Sequence, residues 1–276
     1  MEWITSRKNE GIKQAAKLVR SSSFRKEQGE FLVEGARLCQ DAAQSGIEIV
    51  SAYLTQQAQD KYQSYVEQIL QKAEQCFGIE PHVGELLSDT KSSQGIYCIC
   101  RIPSQDTLNL SCNGHYLALE NLQDPANLGA ILRTGEALGI RGVILGGSCC
   151  DVYSPKVLRA SMGAVFRLPV IFCEALENQL PHWQERGFST LAAVPARDAV
   201  DITQVDFSKP SILAVGNEGN GLSDSVMQAC EQRVTIPMKG RAESLNAAAS
   251  ASILMWEMLR GREPSLDGIE THPAIP

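Results

Sequence analysis

The sequence contains no run of about 20 apolar residues, the length that spans a bilayer, so no membrane-spanning helix is expected. Its opening stretch, MEWITSRKNEGIKQ, has no apolar core, and no secretory signal is expected there; Glu2 and Glu10 argue against a mitochondrial transit peptide. There is no CxxC pair: the nearest approaches are Cys98-x-Cys100 and Cys149-Cys150. The four histidines, His82, His115, His182 and His272, are far apart, so neither a structural zinc nor any other metal is expected. Nine cysteines is an odd number, so at least one thiol is unpaired. Together these point to reduced thiols and a cytoplasmic protein. Also missing are G-x-S-x-G and H-E-x-x-H, which excludes a serine hydrolase elbow and a metalloprotease helix.

What is present is an ordinary globular composition, 43% apolar and 21% charged, over 276 residues, a length that favours about two domains. The net charge is −7, but it is unevenly spread. Residues 1–26 hold Arg7, Lys8, Lys13, Lys17, Arg20, Arg25 and Lys26 against Glu2 and Glu10, a local +5 that leaves −12 elsewhere. A basic segment on an acidic body attracts a polyanion, although a solvated amphipathic helix accounts equally well for the charges alone.

Apolar residues at Ile12, Ala15, Ala16, Leu18 and Val19 predict a helix over Lys8–Arg20. GEFLVEG reads as a strand, ARLCQDAAQSG as a helix, IEIVSAYLT as a strand, Gln57–Gln75 as a helix and GIYCICRIP as a strand. Residues 1–103 thus form a small α/β unit, 104–113 a polar linker, 114–262 a second domain, and 263–276 a flexible tail. From His115 onward strands and helices alternate: HYLALE, Asn127–Leu138, GVILGG, Pro155–Met162, RLPVIF, Glu174–Arg186, STLAAV, SILAVG, Leu222–Cys230, RVTIP and Ser244–Arg260. Near-continuous apolar strands in this alternation predict a parallel sheet covered on both faces, with ligands at the carboxyl ends of the strands. No internal repeat is visible.

Three stretches stand at such strand ends. In LENLQDPANLGAILRTGEALG, Asn127 opens a helix and Arg133 follows six residues later, a pair able to hold an oxyanion or phosphate. In ILAVGNEGNGLSD, Gly216, Gly219 and Gly221 allow close backbone approach, and Glu218 places a carboxylate among them. The spacing nears that of a phosphate loop, but Leu222 stands where that loop needs Lys, and no G-x-G-x-x-G is present. In IPMKGRAESLNAAASA, Ser244, Leu245 and Asn246 precede a helix of small residues. That stretch reads either as a Ser N-cap or as a ligand loop.

In this order, DPANLGAILRT, GNEGNGLS and IPMKGRAESLNAAASA resemble the SpoU (TrmH-like) family of RNA ribose 2′-O-methyltransferases. SPKVLRASMGAVFRLPV resembles the family's middle segment. The N-terminal SRKNEGIKQAAKLVRSSSFRKEQGEFLVEGARLCQDA is similar to its small substrate-binding domain, which resembles ribosomal protein L30e. The resemblance implies an L30e-like α/β domain followed by a SPOUT domain, a parallel sheet whose C-terminal part is tied in a trefoil knot.

It also implies S-adenosylmethionine held in that knot, mostly by backbone groups. By motif position the cofactor-binding residues are Leu191, Ala192, Ala193, Gly216, Ile236, Met238 and Leu245, and the catalytic ones Arg133, Asn127, Glu218, Ser244 and Asn246. Asn127 and Glu218 are expected to fix Arg133 and the ribose. Arg7, Lys8, Lys13, Lys17, Arg25 and Lys26 are expected to bind RNA. A C2 homodimer is expected through Ala247–Ala251, Ile253, Leu254, Met255 and Trp256, with Arg133 and the knot loops collected across the interface. The substrate class implied is structured RNA, ribosomal rather than transfer RNA. A tRNA ribose methyltransferase, a catalytically idle RNA-binding protein and a small-molecule Rossmann-type methyltransferase are the alternatives. The intact Asn127, Arg133, Glu218 and Asn246 oppose the idle reading, and the missing glycine fingerprint opposes the Rossmann one.

Overall fold

The computed structural model describes residues 1–103, 110–242 and 244–260. Most of the expected linker and all of the expected tail lie outside the described residues. The first part of the chain runs β1 (Glu2–Ile4), α1 (Glu10–Arg20), α2 (Ser22–Gln28), β2 (Glu30–Glu34), α3 (Ala36–Gln44), β3 (Ile49–Leu54), α4 (Gln56–Lys61), α5 (Gln63–Lys72), β4 (Ala73–Ile79), α6 (Pro81–Gly84) and β5 (Ile96–Arg101). Its five strands lie in the order β1-β4-β3-β5-β2, parallel from β1 to β3 and antiparallel from β3 to β2.

The helix expected over 57–75 is not one helix. Tyr62 leaves helical geometry (φ −119°, ψ 39°) and separates α4 from α5, and the chain becomes a strand at Ala73. AEQCFGI holds good helix formers. As β4, however, it lies between β1 and β3 and pairs its backbone on both sides, and that tertiary pairing outweighs local propensity.

The second part runs β6 (His115–Glu120), α7 (Pro125–Leu138), β7 (Gly142–Gly146), α8 (Pro155–Ser161), β8 (Val170–Cys173), α9 (Leu176–Glu185), β9 (Ser189–Ala193), β10 (Val200–Asp201), β11 (Ser211–Val215), α10 (Asp224–Ala229), β12 (Gln232–Thr235) and α11 (Ala247–Leu259). All seven strands are parallel, in the order β10-β12-β9-β11-β6-β7-β8. Every residue of β6, β7 and β11 is buried, as a sheet covered on both faces requires. Leu117, Leu119, Val143, Leu145, Leu213 and Val215 join the layer with α7, α8 and α11. The alternate residues Tyr116, Ala118, Ile144, Ile212 and Ala214 join the layer with α9 and α10.

α7 lies against α8 so closely that a Cβ on Gly129 would stand 2.3 Å from the Ala160 Cβ. The core on the α7 side is continuous with that of the first sheet, and Phe31 of β2 stacks on Tyr153 with ring centroids 4.6 Å apart. Because β12, β9, β11 and β6 are neighbours and parallel, the loops at their carboxyl ends emerge side by side at one edge.

Candidate active site

The loop after β6 turns at Asn121, a non-glycine residue in the left-handed region (φ 55°), whose side-chain oxygen accepts from the Ser148 N–H at 2.8 Å. Asp124 is the N-cap of α7, accepting from the Ala126 N–H at 2.7 Å, and Pro125 opens the helix. Asn127 therefore lies inside the helix, where its buried amide is free to bond elsewhere.

It bonds two other loops at once. Asn127 Nδ2 donates to Glu218 Oε1 at 2.9 Å, and Asn127 Oδ1 accepts from Asn246 Nδ2 at 2.9 Å. Asn246 in turn is the N-cap of α11, its Oδ1 accepting from the Ala248 and Ala249 N–H groups at 2.9 and 3.2 Å. The helix starts at Ala247, three residues later than the sequence predicts. Asn246 is its cap rather than Ser244, which leaves Ser244 and Leu245 exposed on the loop.

Glu218 also accepts from the Gln123 and Asp124 N–H groups at 3.4 and 3.3 Å. Burial pushes its carboxyl upward, but the hydrogen bonds from Asn127 and from backbone N–H groups outweigh that and hold it below its ordinary value. The carboxylate is thus fixed and charged at neutral pH. A second carboxylate holds the other end of the loop. Buried Glu120, at the end of β6, accepts from the Ser223 N–H at 2.8 Å and hydroxyl at 2.7 Å, and so pins the far end of the glycine loop. Asn217 adds a bond from its Nδ2 to the Asn121 carbonyl at 2.7 Å. Glu120, Asn121, Asp124, Asn217 and Ser223 were not among the expected site residues. The legible signal for one of them was a Glu closing an otherwise apolar strand in HYLALE, a charge that burial must pair.

Residues 114–256 match the SpoU rRNA Methylase family, and residues 9–98 match the MRM3-like substrate binding domain. The chain belongs to the SpoU rRNA methylase family. It is 30% identical over 268 residues to a 23S rRNA (uridine(2479)-2′-O)-methyltransferase of Streptomyces viridochromogenes, covering 94% of this chain and 92% of that one. It is 29% identical to the 23S rRNA (guanosine(2553)-2′-O)-methyltransferase RlmP of Bacillus subtilis (strain 168), covering 95% and 100%. An AdoMet-bound rRNA methyltransferase from Sinorhizobium meliloti superposes with a TM-score of 0.83 at 27% identity, covering 93% of this chain and 97% of that one.

Within this SpoU chain the family's motif residues do not all converge. Asn127, Glu218 and Asn246 meet; Arg133 does not join them. Six residues along a helix at about 100° each put Arg133 roughly 120° around α7 from Asn127. Arg133 is exposed, with no hydrogen-bond or ion-pair partner among the described residues, and Glu218 is engaged by Asn127 and the turn instead.

Gly216 is buried directly after β11. A Cβ there would lie 2.0 Å from the Gly221 carbonyl carbon, so glycine is required by the loop's own fold over it. Leu191 and Ala192 are core residues of β9, and only Ala193 approaches its open end. Ile236 is half-buried, while Met238 and Leu245 are each 38% exposed.

The basic arm is also divided. Lys8, Arg20 and Lys26 are exposed, Lys13 pairs with Glu10 at 2.7 Å, Arg7 pairs with Glu85, and Lys17 lies over the Phe24 ring at 5.3 Å. Arg25 is only 4% exposed and cannot reach a phosphate without unpacking. The expected dimer face splits as well: Ala247, Ala251, Leu254 and Met255 pack inward, while Ala249, Ile253 and Trp256 remain exposed along one line of α11. Among the described residues no group of three potential ligands could hold a metal, and no helix is long and apolar enough to cross a membrane.

Proposed function

We propose that this chain is an S-adenosylmethionine-dependent (ribose-2′-O)-methyltransferase acting on large-subunit ribosomal RNA. The observation that carries the reading is the pair of bonds at Asn127, which locks the loops after β6, β11 and β12 into one constellation. The relatives named for 23S rRNA 2′-O-methylation support it over a tRNA substrate. Residues 1–103 are the RNA-binding domain and 114–262 the methyltransferase domain, knotted as the family resemblance implies, in a cytoplasmic homodimer.

The strand ends fit the cofactor. Ala193, Gly216 and Ile236 end the neighbouring strands β9, β11 and β12 or follow them directly, and exposed Met238 and Leu245 offer an apolar surface for a flat nucleoside. When bound, S-adenosylmethionine supplies a methyl group on a sulfonium. The protein's task is to hold the ribose 2′-hydroxyl in line with it, and such alignment is worth up to about 7–11 kcal/mol in favourable cases. Ser244, exposed beside Asn246, faces the ribose in this reading. Arg133 is not the base in this reading, because a guanidinium does not give up its proton in proteins. It clamps the adjacent phosphate and polarises the hydroxyl, whose proton passes to a phosphate oxygen or water. Its distance around α7 from Asn127 favours service to the partner protomer's site.

The test is methyl transfer from labelled S-adenosylmethionine to a large-subunit ribosomal RNA transcript. A 2′-O-methyl product appears as label in alkali-resistant dinucleotides. Label only in alkali-sensitive material, or none, overturns the assignment.

A further inference from the structure

We infer that Arg25 is a positioning residue that ties the N-terminal part of the chain to the active-site turn at 121–124. The inference rests on the reaction proposed above. Arg25 Nε and Nη2 donate to Asp151 Oδ2 at 2.8 and 2.5 Å, and Nη1 donates to the carbonyls of Leu18 and Val19 at 2.5 and 3.3 Å. One guanidinium therefore gathers the last turn of α1 and reaches across to the loop that follows β7. The pair is nearly dry, with side-chain exposures of 5% and 15%. Removing one partner of such a pair leaves a charge without its counterion, so the two stay together.

Asp151 also accepts from the Tyr153 N–H at 2.9 Å, and Tyr153 stacks on Phe31. The residues just before Asp151 are bonded to the site turn on both sides. The Ser148 N–H donates to Asn121 Oδ1 at 2.8 Å, and Gln123 Nε2 donates to the Ser148 carbonyl. The Leu122 N–H meets Cys149 Sγ at 3.3 Å, and the Cys150 N–H donates to the Leu122 carbonyl at 2.8 Å. The turn then gives the Gln123 and Asp124 N–H groups to Glu218. From α1 to the active-site carboxylate the bonded path has no gap. RNA seated on the N-terminal part thereby acts on a site turn whose position that part sets.

A contiguous path is not by itself coupling, so the test is energetic. The control is another ion pair between the two parts, Arg159 with Asp89 at 2.7 Å, for which no hydrogen bond to the 147–151 loop is found among the described residues. Full-length wild type, Arg25→Met, Asp151→Asn and Asp89→Asn are compared for kcat and KM on ribosomal RNA, for the salt dependence of RNA binding, and for hydrogen exchange of amides 121–124. Arg25→Met is expected to lose about 10- to 100-fold in kcat, the scale of a small misplacement of reacting groups, with RNA KM and salt slope unchanged. Asp151→Asn shows a smaller loss of the same kind, and amides 121–124 exchange faster in both. Asp89→Asn resembles wild type. A raised RNA KM with a reduced salt slope makes Arg25 a phosphate contact and overturns the inference, as does an equal loss in Asp89→Asn. If Arg25→Met does not fold, a wild-type kcat in Asp151→Asn overturns it. If wild type transfers no methyl group, the reaction reading fails separately. The exchange rates then still decide the link, because equal rates in all four proteins reject it.

Discussion

Asn246 donates its side-chain amide to Asn127 at 2.9 Å, and that bond joins the start of α11 to the inside of α7. Both residues have further partners, so the pair is expected to be strongly non-additive. Asn127→Ala takes one hydrogen-bond partner from Glu218 and one from Asn246; both are exposed, so each loss costs only about 0.5–1.5 kcal/mol. In a double-mutant cycle with Asn246→Ala, the second substitution is expected to add little to the first in both stability and AdoMet affinity. Additive losses would mean the bond is not formed in solution.

Gly216→Ala is expected to destabilise the protein by roughly 1–3 kcal/mol, because its Cβ meets backbone rather than a flexible side chain. Cofactor binding and melting temperature fall together. Gly219→Ala is the contrast: its nearest neighbour is Asn217 Oδ1 at 3.4 Å, and melting is expected to change little. A Gly216→Ala protein that melts like wild type would refute the packing argument.

The Glu218 carboxyl is held below its ordinary value in the folded protein. For a depressed carboxyl the stabilisation is present above the unfolded pKa and is lost as pH falls through the folded one. The loop should therefore hold from neutral pH down to the ordinary carboxylate range near 4.5 and loosen only below it. Calorimetric AdoMet affinity measured across that range checks this, with Glu218→Gln weaker at neutral pH. Loss of wild-type affinity already at pH 6 would contradict it.

Lys8, Lys13 and Lys17 changed together to Glu are expected to weaken RNA binding and flatten its salt dependence, leaving AdoMet affinity unchanged. Filter binding at several salt concentrations reads both. An unchanged slope would move the RNA elsewhere on the surface.

Ile253 and Trp256, 40% and 55% exposed on one line of α11, are expected to lie in the homodimer interface. Ile253→Asp with Trp256→Asp should give an inactive monomer by light scattering. Mixing Arg133→Ala with Asn246→Ala chains should restore part of the activity if Arg133 serves the partner's site. A wild-type monomer that is fully active would refute both.

Much of the seven-stranded sheet was legible because parallel strands buried on both faces read as apolar runs, and HYLALE, GVILGG and SILAVG are all found as strands. β4 was not legible, since AEQCFGI is made a strand by its two neighbours and not by its own residues. β1 is a three-residue edge strand that pairs only with β4, and it escaped notice with it. At the site, the identities of Asn127, Glu218 and Asn246 could be read from motifs, but the bonds among them could not. Hydrogen bonds across 91 and 119 residues leave no local pattern. Arg25 is the reverse case. Its charge made it look like part of a surface arm, and only Asp151, 126 residues away, reveals why it is buried.

The most direct test of the central claim is a map of ribose 2′-O-methylation across ribosomal RNA in cells lacking this protein and in cells given it back. One large-subunit rRNA position is expected to lose its 2′-O-methyl group in the cells lacking it. Wild type restores it, while Asn127→Ala and Arg133→Ala do not. An unchanged ribosomal RNA map, or full restoration by those variants, would contradict it.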